Sequence, residues 1–237
     1  MTPSDQSIIL DHQFEDIYQR IHKACESSNR STSDVTLVAV TKKQPISKIQ
    51  AYIDFCHRTN RLPVIAENYV QEWELKKPNI VGDYKCHLIG HLQSNKSKVA
   101  VGLFDQVQTV DSTKLVHLLA REAEAIDKKI QVWVQVNISD DQSKYGVSAE
   151  KTDQIVEAIL SSPLEFSGLM TITKVYQRPL QARPDYCALA GLGDQLRQKF
   201  GLAKVGLSMG MSDDFEVAIS CGATYVRVGS ALFGARS

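Results

Sequence analysis

The sequence predicts an α/β fold, in the form of a single TIM-type (β/α)8 barrel with an extra helix at its amino terminus. About eight short apolar runs alternate with segments whose apolar residues recur at helical spacing along the 237 residues. The first run, 34–41, is apolar on both faces, as is typical of strands that helices cover on both sides. Barrels of this kind commonly use a chain of this length as one unit. We therefore expect residues 1–237 to form one domain.

The amino-terminal segments predict one helix before the first strand and a second helix after it. Phe14, Ile17 and Ile21 follow helical spacing within a polar segment, which predicts a helix ahead of the first strand. The first strand stops at Lys42. The next helix begins at Pro45, because proline suits the first turn of a helix. The chain thus enters its strand and helix alternation after one additional helix.

The same alternation continues to the end of the chain. Further strands are predicted at 63–66, 86–89, 104–110, 131–138, 164–170, 204–207 and 224–228, and further helices at 70–77, 96–103, 115–126, 149–161, 186–200 and 213–220. Ser94 or Asn95 is predicted to cap one helix and Asp111-Ser112 the next. An open doubly wound sheet is the alternative, but no Gly-x-Gly-x-x-Gly opens a helix after a strand.

Composition narrows the class of protein. Lys plus Arg equals Asp plus Glu at 27 each, so no net charge attracts nucleic acid or an anionic membrane. The five cysteines are scattered without a Cys-x-x-Cys pair, and the first residues lack a signal-peptide pattern. No apolar run approaches the length of a membrane-spanning helix. We expect a cytoplasmic protein that binds neither nucleic acid nor membranes.

Lys42 is the leading candidate for chemistry, because function in parallel barrels concentrates where the strands end. Strand alternation places Lys42 on the same face as Val38 and Val40, and Lys43 on the other face. An amine in apolar surroundings has a lowered pKa and becomes a nucleophile that can form a Schiff base with an aldehyde. The alternative is a pair of ordinary solvated loop lysines.

Two loops near the end of the chain suit an anion. Ser208–Asp214 and Val226–Ser230 follow the seventh and eighth predicted strands, which is the customary phosphate position in such barrels. Their small residues can direct backbone amides at an anion beside Arg227. The alternative makes Ser212 a helix cap and pairs Arg227 with a surface carboxylate. Together with Lys42, the loops indicate a site for pyridoxal 5′-phosphate, whose aldehyde would bond the lysine.

A metal site is the less favoured interpretation of another cluster. Cys86, His87 and His91 are of the right residue types for metal ligands. Gly90 breaks the helix that their spacing would require, so we expect core packing and no metal.

Several motifs together resemble one known family. They are Val40-Thr-Lys42 with Pro45, Glu67-Asn-Tyr-Val-Gln-Glu72, His87-x-Ile-Gly-His-Leu-Gln-Ser-Asn-Lys96, Gly168-Leu-Met170, Leu207-Ser-Met-Gly-Met-Ser-Asp-Asp214 and Val226 to Arg236. The chain after the first helix resembles the pyridoxal-phosphate homeostasis proteins, which are similar to the barrel domain of alanine racemase. One departure is Ala66, which stands where a glycine usually precedes the Glu-Asn-Tyr motif.

The resemblance implies a role for each matching site residue. Lys42 would hold the cofactor as an internal aldimine. The other contacts implied are Asn68 at the ring's edge, His91 as a wall residue, Arg227 near the pyridine nitrogen or the phosphate, and Ser212, Gly229 and Ser230 around the phosphate.

The resemblance also implies a function in vitamin B6 homeostasis without catalytic turnover. We expect a monomer that binds pyridoxal 5′-phosphate and passes it to apo enzymes that depend on this cofactor. The alternative is an amino-acid racemase, which needs a base on each face of the substrate. Alanine racemases supply the opposing tyrosine from an additional domain, and we expect none after Ser237. A third possibility is a regulatory protein for which the cofactor is only a ligand.

Overall fold

Eight parallel strands close into a barrel in the computed structural model, which describes residues 3–234 and the side chains of residues 9–234. The strands are β1 Thr36–Val40, β2 Val64–Glu67, β3 Lys85–Leu88, β4 Gln106–Val110, β5 Gln131–Gln135, β6 Glu165–Met170, β7 Gly206–Ser208 and β8 Tyr225–Val228. Neighbours in sequence are hydrogen-bonded neighbours in the sheet, and β1 also pairs with β8. The predicted (β/α)8 barrel is confirmed and the open sheet is wrong. The last residues of the Val226 to Arg236 motif lie outside the described range.

Helices connect the strands on the outside of the barrel. They are α1 Pro3–Ser27, α2 Ile46–Arg58, α3 Val70–Lys76, α4 Ser97–Leu103, α5 Thr113–Glu124, α6 Thr152–Leu160, α7 Arg183–Lys199, α8 Phe215–Ser220 and α9 Ser230–Phe233. The predicted extra helix is α1, which packs on α2, α8 and α9 across the junction where the barrel closes. None of the helices described is long and apolar enough to cross a lipid bilayer.

Two cap predictions had different outcomes. The Ser112 hydroxyl accepts a hydrogen bond from the backbone N–H of Leu115 at 3.3 Å and caps α5, as predicted. The prediction of a Ser94 or Asn95 cap on α4 is wrong. The chain enters α4 through a 3₁₀ turn at Ser94–Lys96, and the Ser97 hydroxyl donates to the Ser94 carbonyl at 2.9 Å. The Ser97 backbone N–H also donates to the Ser94 carbonyl, so it is not used by a side-chain cap.

One predicted strand is shorter in the structure. β5 ends at Gln135, whereas the apolar alternation predicted a strand through residue 138. At this point Val147 returns from the following loop and donates from its backbone N–H to the Gln135 carbonyl at 2.9 Å. Asn137 then donates to the Val147 carbonyl at 2.8 Å. The loop is therefore the hydrogen-bond partner on one side of the chain after β5, and on the other side Val136 still donates to the Met170 carbonyl of β6 at 2.8 Å.

The apolar residues form two layers, one inside the barrel and one between the barrel and the helices. Val38 of β1 lies in the inner cluster, and Leu37 and Ala39 lie in the outer one. This is the alternation predicted for the first strand. The even-numbered side chains of β1 therefore face the barrel axis on the approach to Lys42.

Candidate functional site

A cleft of about 230 Å³ opens at the carboxyl-terminal rim of the barrel. It is lined by Val40, Lys42, Asn68, Ile89, Ile172, Met211, Ser212, Asp213, Arg227, Gly229 and Ser230. Every predicted cofactor-binding residue except His91 lies in this one cleft, which we call the Lys42 cleft. Residues from the first, second, seventh and eighth strand ends thus meet, as the barrel rule predicts.

Lys42 enters the cleft from a turn directly after β1. The side chain is partly buried and lines the cleft beside Val40. Lys43 is exposed and has a φ of 58°, in the left-handed region. Lys42 thus lines the cleft and Lys43 lies in solvent, although both residues follow the end of β1, and the interpretation of both as ordinary solvated lysines does not hold for Lys42.

Ser212 lies at the centre of a group of hydrogen-bond donors. Its hydroxyl oxygen accepts from the backbone N–H of Gly229 at 3.3 Å and of Ala231 at 3.4 Å. The Ser230 hydroxyl is 3.1 Å from the same oxygen. Converging amides of this kind suit an anion oxygen. Ser212 does not cap α8, whose N-cap is Asp214, so the helix-cap interpretation of Ser212 is wrong.

Arg227 is a buried cation, and among the side chains of residues 9–234 no carboxylate is bonded to its guanidinium. Its side chain donates to the Ser208 hydroxyl at 2.8 Å and to the Thr171 carbonyl at 2.7 Å, and the residue is 4% exposed. Burial lowers the pKa of Arg227 to about 10, although Tyr186 and Asp214 act in the opposite direction. The guanidinium is still protonated at neutral pH. The predicted alternative of a surface ion pair is wrong, and a buried cation facing a cleft favours an anionic ligand.

A chain of hydrogen bonds crosses the barrel interior behind Arg227. The Ser208 hydroxyl donates to the Gln108 side-chain oxygen at 2.7 Å, which leaves its lone pairs facing the guanidinium. The Gln108 amide nitrogen is 3.1 Å from His87 Nδ1 and donates to it. Burial lowers the pKa of His87 to about 3, so the imidazole is neutral. Sequence reasoning missed Gln108, although its place inside a predicted strand that also holds Val107 and Val110 is a sign of an inward polar group.

His87 belongs to this interior chain and Cys86 to the outer core, so the two residues point to opposite sides of the sheet. Within residues 3–234, no three or more His, Cys, Asp or Glu side chains gather as metal ligands. Core packing is thus the interpretation that the structure favours for Cys86 and His87.

Asn68 joins the Lys42 cleft to a second one. Its side-chain oxygen is buried and has no hydrogen-bond partner in the part of the chain that the structure describes. The second cleft, of about 450 Å³, is also lined by His91, Lys96 and Tyr145. His91 stacks on Tyr145 with ring centroids 4.2 Å apart. The structure therefore places His91 next to the Lys42 cleft rather than within it.

The donor set fits an anionic aldehyde such as pyridoxal 5′-phosphate. A partly buried amine, a buried guanidinium and converging backbone amides line one cavity. The unpartnered Asn68 oxygen offers an acceptor at the same place. An orphaned buried acceptor is costly unless a ligand supplies the donor.

The fold and the cleft define a barrel of the alanine racemase N-terminal domain class, whose family model matches residues 20–237. A curated relative from Haemophilus influenzae, named pyridoxal phosphate homeostasis protein, is 34% identical over 96% of each chain. One of the same name from Escherichia coli K12 is 36% identical over 95% of this chain and 96% of its own. The chain belongs to the pyridoxal phosphate homeostasis protein family.

Solved structures agree with this assignment. PipY of Synechococcus elongatus, solved with pyridoxal phosphate bound, has a TM-score of 0.78 and 28% identity, and the match covers 90% of this chain and all of that one. An alanine racemase of Clostridium difficile has a TM-score of 0.71 at 12% identity, covering 94% of this chain and 57% of that one. The likeness to the racemase concerns the fold alone.

Proposed function

We propose that this protein binds pyridoxal 5′-phosphate covalently at Lys42 and keeps it available to the cell as part of vitamin B6 homeostasis, without catalytic turnover. The observation that carries the proposal is the buried Arg227 guanidinium, which faces the same cleft as Lys42 and has neutral acceptors on its nitrogens. A relative's structure with the same cofactor supports it. The protein acts as a cytoplasmic monomer that exchanges cofactor with apo enzymes.

The proposed roles follow from the geometry of the Lys42 cleft. The bound cofactor supplies an aldehyde carbon and a phosphate dianion. Lys42 Nζ bonds that carbon, with loss of water. The amides of Gly229 and Ala231, with Ser212 and Ser230, bind the phosphate oxygens in place of their present contacts with one another.

Arg227 acts only as a donor toward the ring or the phosphate, because a guanidinium whose pKa is about 10 keeps its proton. A ring nitrogen that accepts from such a donor stays unprotonated, which makes the bound ring a weaker electron sink than a protonated ring.

The test is a titration of the apo protein with pyridoxal 5′-phosphate, followed by absorbance and by trapping of the covalent link with borohydride. The wild type and the Lys43→Ala variant should form the link, and Lys42→Ala should not. Lys43 is the matched control because it is the adjacent lysine and points out of the cleft. A wild type that forms no link, or a Lys42→Ala variant that forms it equally well, would contradict the proposal.

A chiral assay separates binding from catalysis. The wild type is incubated with a panel of L-amino acids in the presence of cofactor. We expect no conversion beyond one event per protein molecule. Lys42-dependent formation of the D-enantiomer in excess of the protein would instead establish a racemase.

A further inference from the structure

The turn that carries Lys42 is held from outside the barrel by a buried ionic cluster. Lys76, the last residue of α3, donates from Nζ to the Thr41 carbonyl at 2.9 Å. The same Nζ contacts Glu67 Oε1 at 2.9 Å and Glu72 Oε1 at 2.6 Å. We call Glu67, Glu72 and Lys76 the Lys76 clamp. It lies on the opposite side of the sheet from the Lys42 cleft.

The clamp binds the residue on each side of Lys42. On the amino-terminal side, the Thr41 hydroxyl donates to Glu67 Oε1 at 2.8 Å. The Thr41 carbonyl accepts from Lys76 Nζ. On the carboxyl-terminal side the Lys43 backbone N–H donates to Glu72 Oε1 at 2.5 Å. The Lys76 clamp therefore holds the backbone on both sides of Lys42. Its side chain has its direction set by the peptide planes that these bonds fix.

The turn has a conformation that needs such support. Lys43 adopts a φ of 58°, which costs free energy for a residue other than glycine. β1 has already ended at Val40, so Lys42 lies beyond the regular ladder of the sheet. The Thr41 N–H makes the last ladder bond, to the Ala66 carbonyl at 2.9 Å, and the Gln44 N–H closes the turn on the Thr41 carbonyl at 3.0 Å. Contacts from Glu67 and from α3 add to these two bonds.

Burying the charged groups of the Lys76 clamp costs free energy, which argues that the clamp serves to position the Lys42 turn. Glu67 is fully buried and the Lys76 side chain is 12% exposed. Glu67 Oε2 has no hydrogen-bond partner among the residues the structure describes. Buried ion pairs contribute little net stability compared with apolar packing, and their best-attested use is to fix one arrangement of the chain.

We propose that Lys76 is a positioning residue, which through Thr41, Glu67 and Glu72 fixes the direction in which the Lys42 amine enters the cleft. This inference rests on the proposed function, because it concerns how Lys42 captures an aldehyde. Capture requires the amine to stand in line with the aldehyde carbon, and small misplacements of a reacting group reduce rates strongly. The phosphate-binding amides follow β8, on a different part of the chain, and do not touch the clamp.

Capture of the aldehyde by Lys42 and binding of the phosphate can therefore be measured separately. The rate of capture is the second-order rate constant for formation of the covalent link with pyridoxal 5′-phosphate. Binding without capture is the dissociation constant of pyridoxine 5′-phosphate, which has the ring and phosphate but no aldehyde. Loss of positioning should lower the first and leave the second unchanged.

The experiment compares Lys76→Met with Lys77→Met. Lys77 is the matched control, because it is the next lysine and also donates to a backbone carbonyl, that of Leu103, at 3.2 Å. We expect Lys76→Met to lower the capture rate about tenfold or more, with the dissociation constant of pyridoxine 5′-phosphate changed less than about twofold. Lys77→Met should leave both values close to those of the wild type.

A double variant separates positioning from folding. Lys76→Met leaves a buried carboxylate at Glu67 without its cation, which can unfold the protein. Adding Glu67→Gln removes that charge, so the double variant should regain thermal stability. Its capture rate should stay low, because the Thr41 carbonyl keeps only the Gln44 backbone N–H, at 3.0 Å, and has lost the bond from Lys76.

The outcomes distinguish the two proposals. A folded double variant that captures the cofactor at the wild-type rate would refute the positioning role and leave the proposed function standing. A fall in pyridoxine 5′-phosphate affinity as large as the fall in capture rate would refute it as well, since the damage would then be general. A wild type that captures no cofactor would overturn the proposed function itself.

Discussion

Lowering the pH from about 7.5 to about 5 is expected to weaken the fold, because His87 has to stay neutral inside the barrel. Burial lowers the pKa of His87 from 6.5 to about 3, and the residue is 1% exposed. In the unfolded chain the imidazole titrates near its ordinary pKa of about 6.5. Between these pKa values the unfolded state binds a proton that the folded state does not. The free energy of unfolding therefore falls as the pH falls through this window.

The size of this loss follows from the two pKa values. Each unit of difference corresponds to about 1.4 kcal/mol. At about pH 5 the solution is about 1.5 units below the unfolded pKa and still above the folded one, so the loss is about 2 kcal/mol. At about pH 3 it grows to about 4 kcal/mol. Above about pH 7.5 the contribution of His87 no longer changes with pH.

The assay is urea unfolding, followed by circular dichroism, of the wild type and His87→Gln at both pH values. Glutamine keeps an oxygen that can accept from the Gln108 amide and does not titrate. The wild type should lose about 2 kcal/mol more than His87→Gln between the two pH values. His117→Gln, a change at an exposed histidine, is the control and should behave as the wild type. Equal losses in the wild type and His87→Gln would refute the reasoning.

Three further changes test other parts of the structure. Phe14→Ala empties a fully buried site between α1, α2 and α9 and should lower the free energy of unfolding by about 3–5 kcal/mol in urea; a loss below about 1 kcal/mol would mean that α1 is not part of the core. Ser212→Ala should weaken pyridoxine 5′-phosphate binding about three- to tenfold in a fluorescence titration, from the loss of one hydrogen bond, and an unchanged affinity would remove Ser212 from the phosphate site. Gly206→Ala should lower the melting temperature, since the new Cβ would lie 2.6 Å from the Trp133 ring, whereas Gly102→Ala, with no atom within 4 Å of its Cβ, should not; the reverse order would contradict the described packing.

The order of strands and helices could be predicted because it is written in local periodicity. The alternation of Val38 with Leu37 and Ala39 decided which side of β1 faces the barrel axis, and with it the direction of Lys42. Once the barrel was assumed, the strand ends alone brought Lys42, Arg227 and the loops after β7 and β8 to one rim. Strand alternation and the position of strand ends in a barrel were therefore enough to predict which residues meet at this rim.

The contacts that hold these residues could not be predicted, because they join distant parts of the chain. The bond from Lys76 to the Thr41 carbonyl spans 35 residues, and the bond from Ser208 to Gln108 spans 100. No spacing rule connects such pairs. The same reason explains why the helix-cap alternative for Ser212 was open, since a serine before a helix resembles a cap until the amides of the loop after β8 are in place.

The pairing of β1 with β8 has a consequence for how the protein behaves at high concentration. Each strand from β1 to β8 has a hydrogen-bonded neighbour on both sides within residues 3–234. An open sheet offers rows of unsatisfied amides and carbonyls that recruit other polypeptides into fibrous assemblies. In this barrel such rows become accessible only when strand pairing such as that of β1 with β8 opens. Aggregation should therefore depend on how often the barrel opens rather than on collisions between intact molecules.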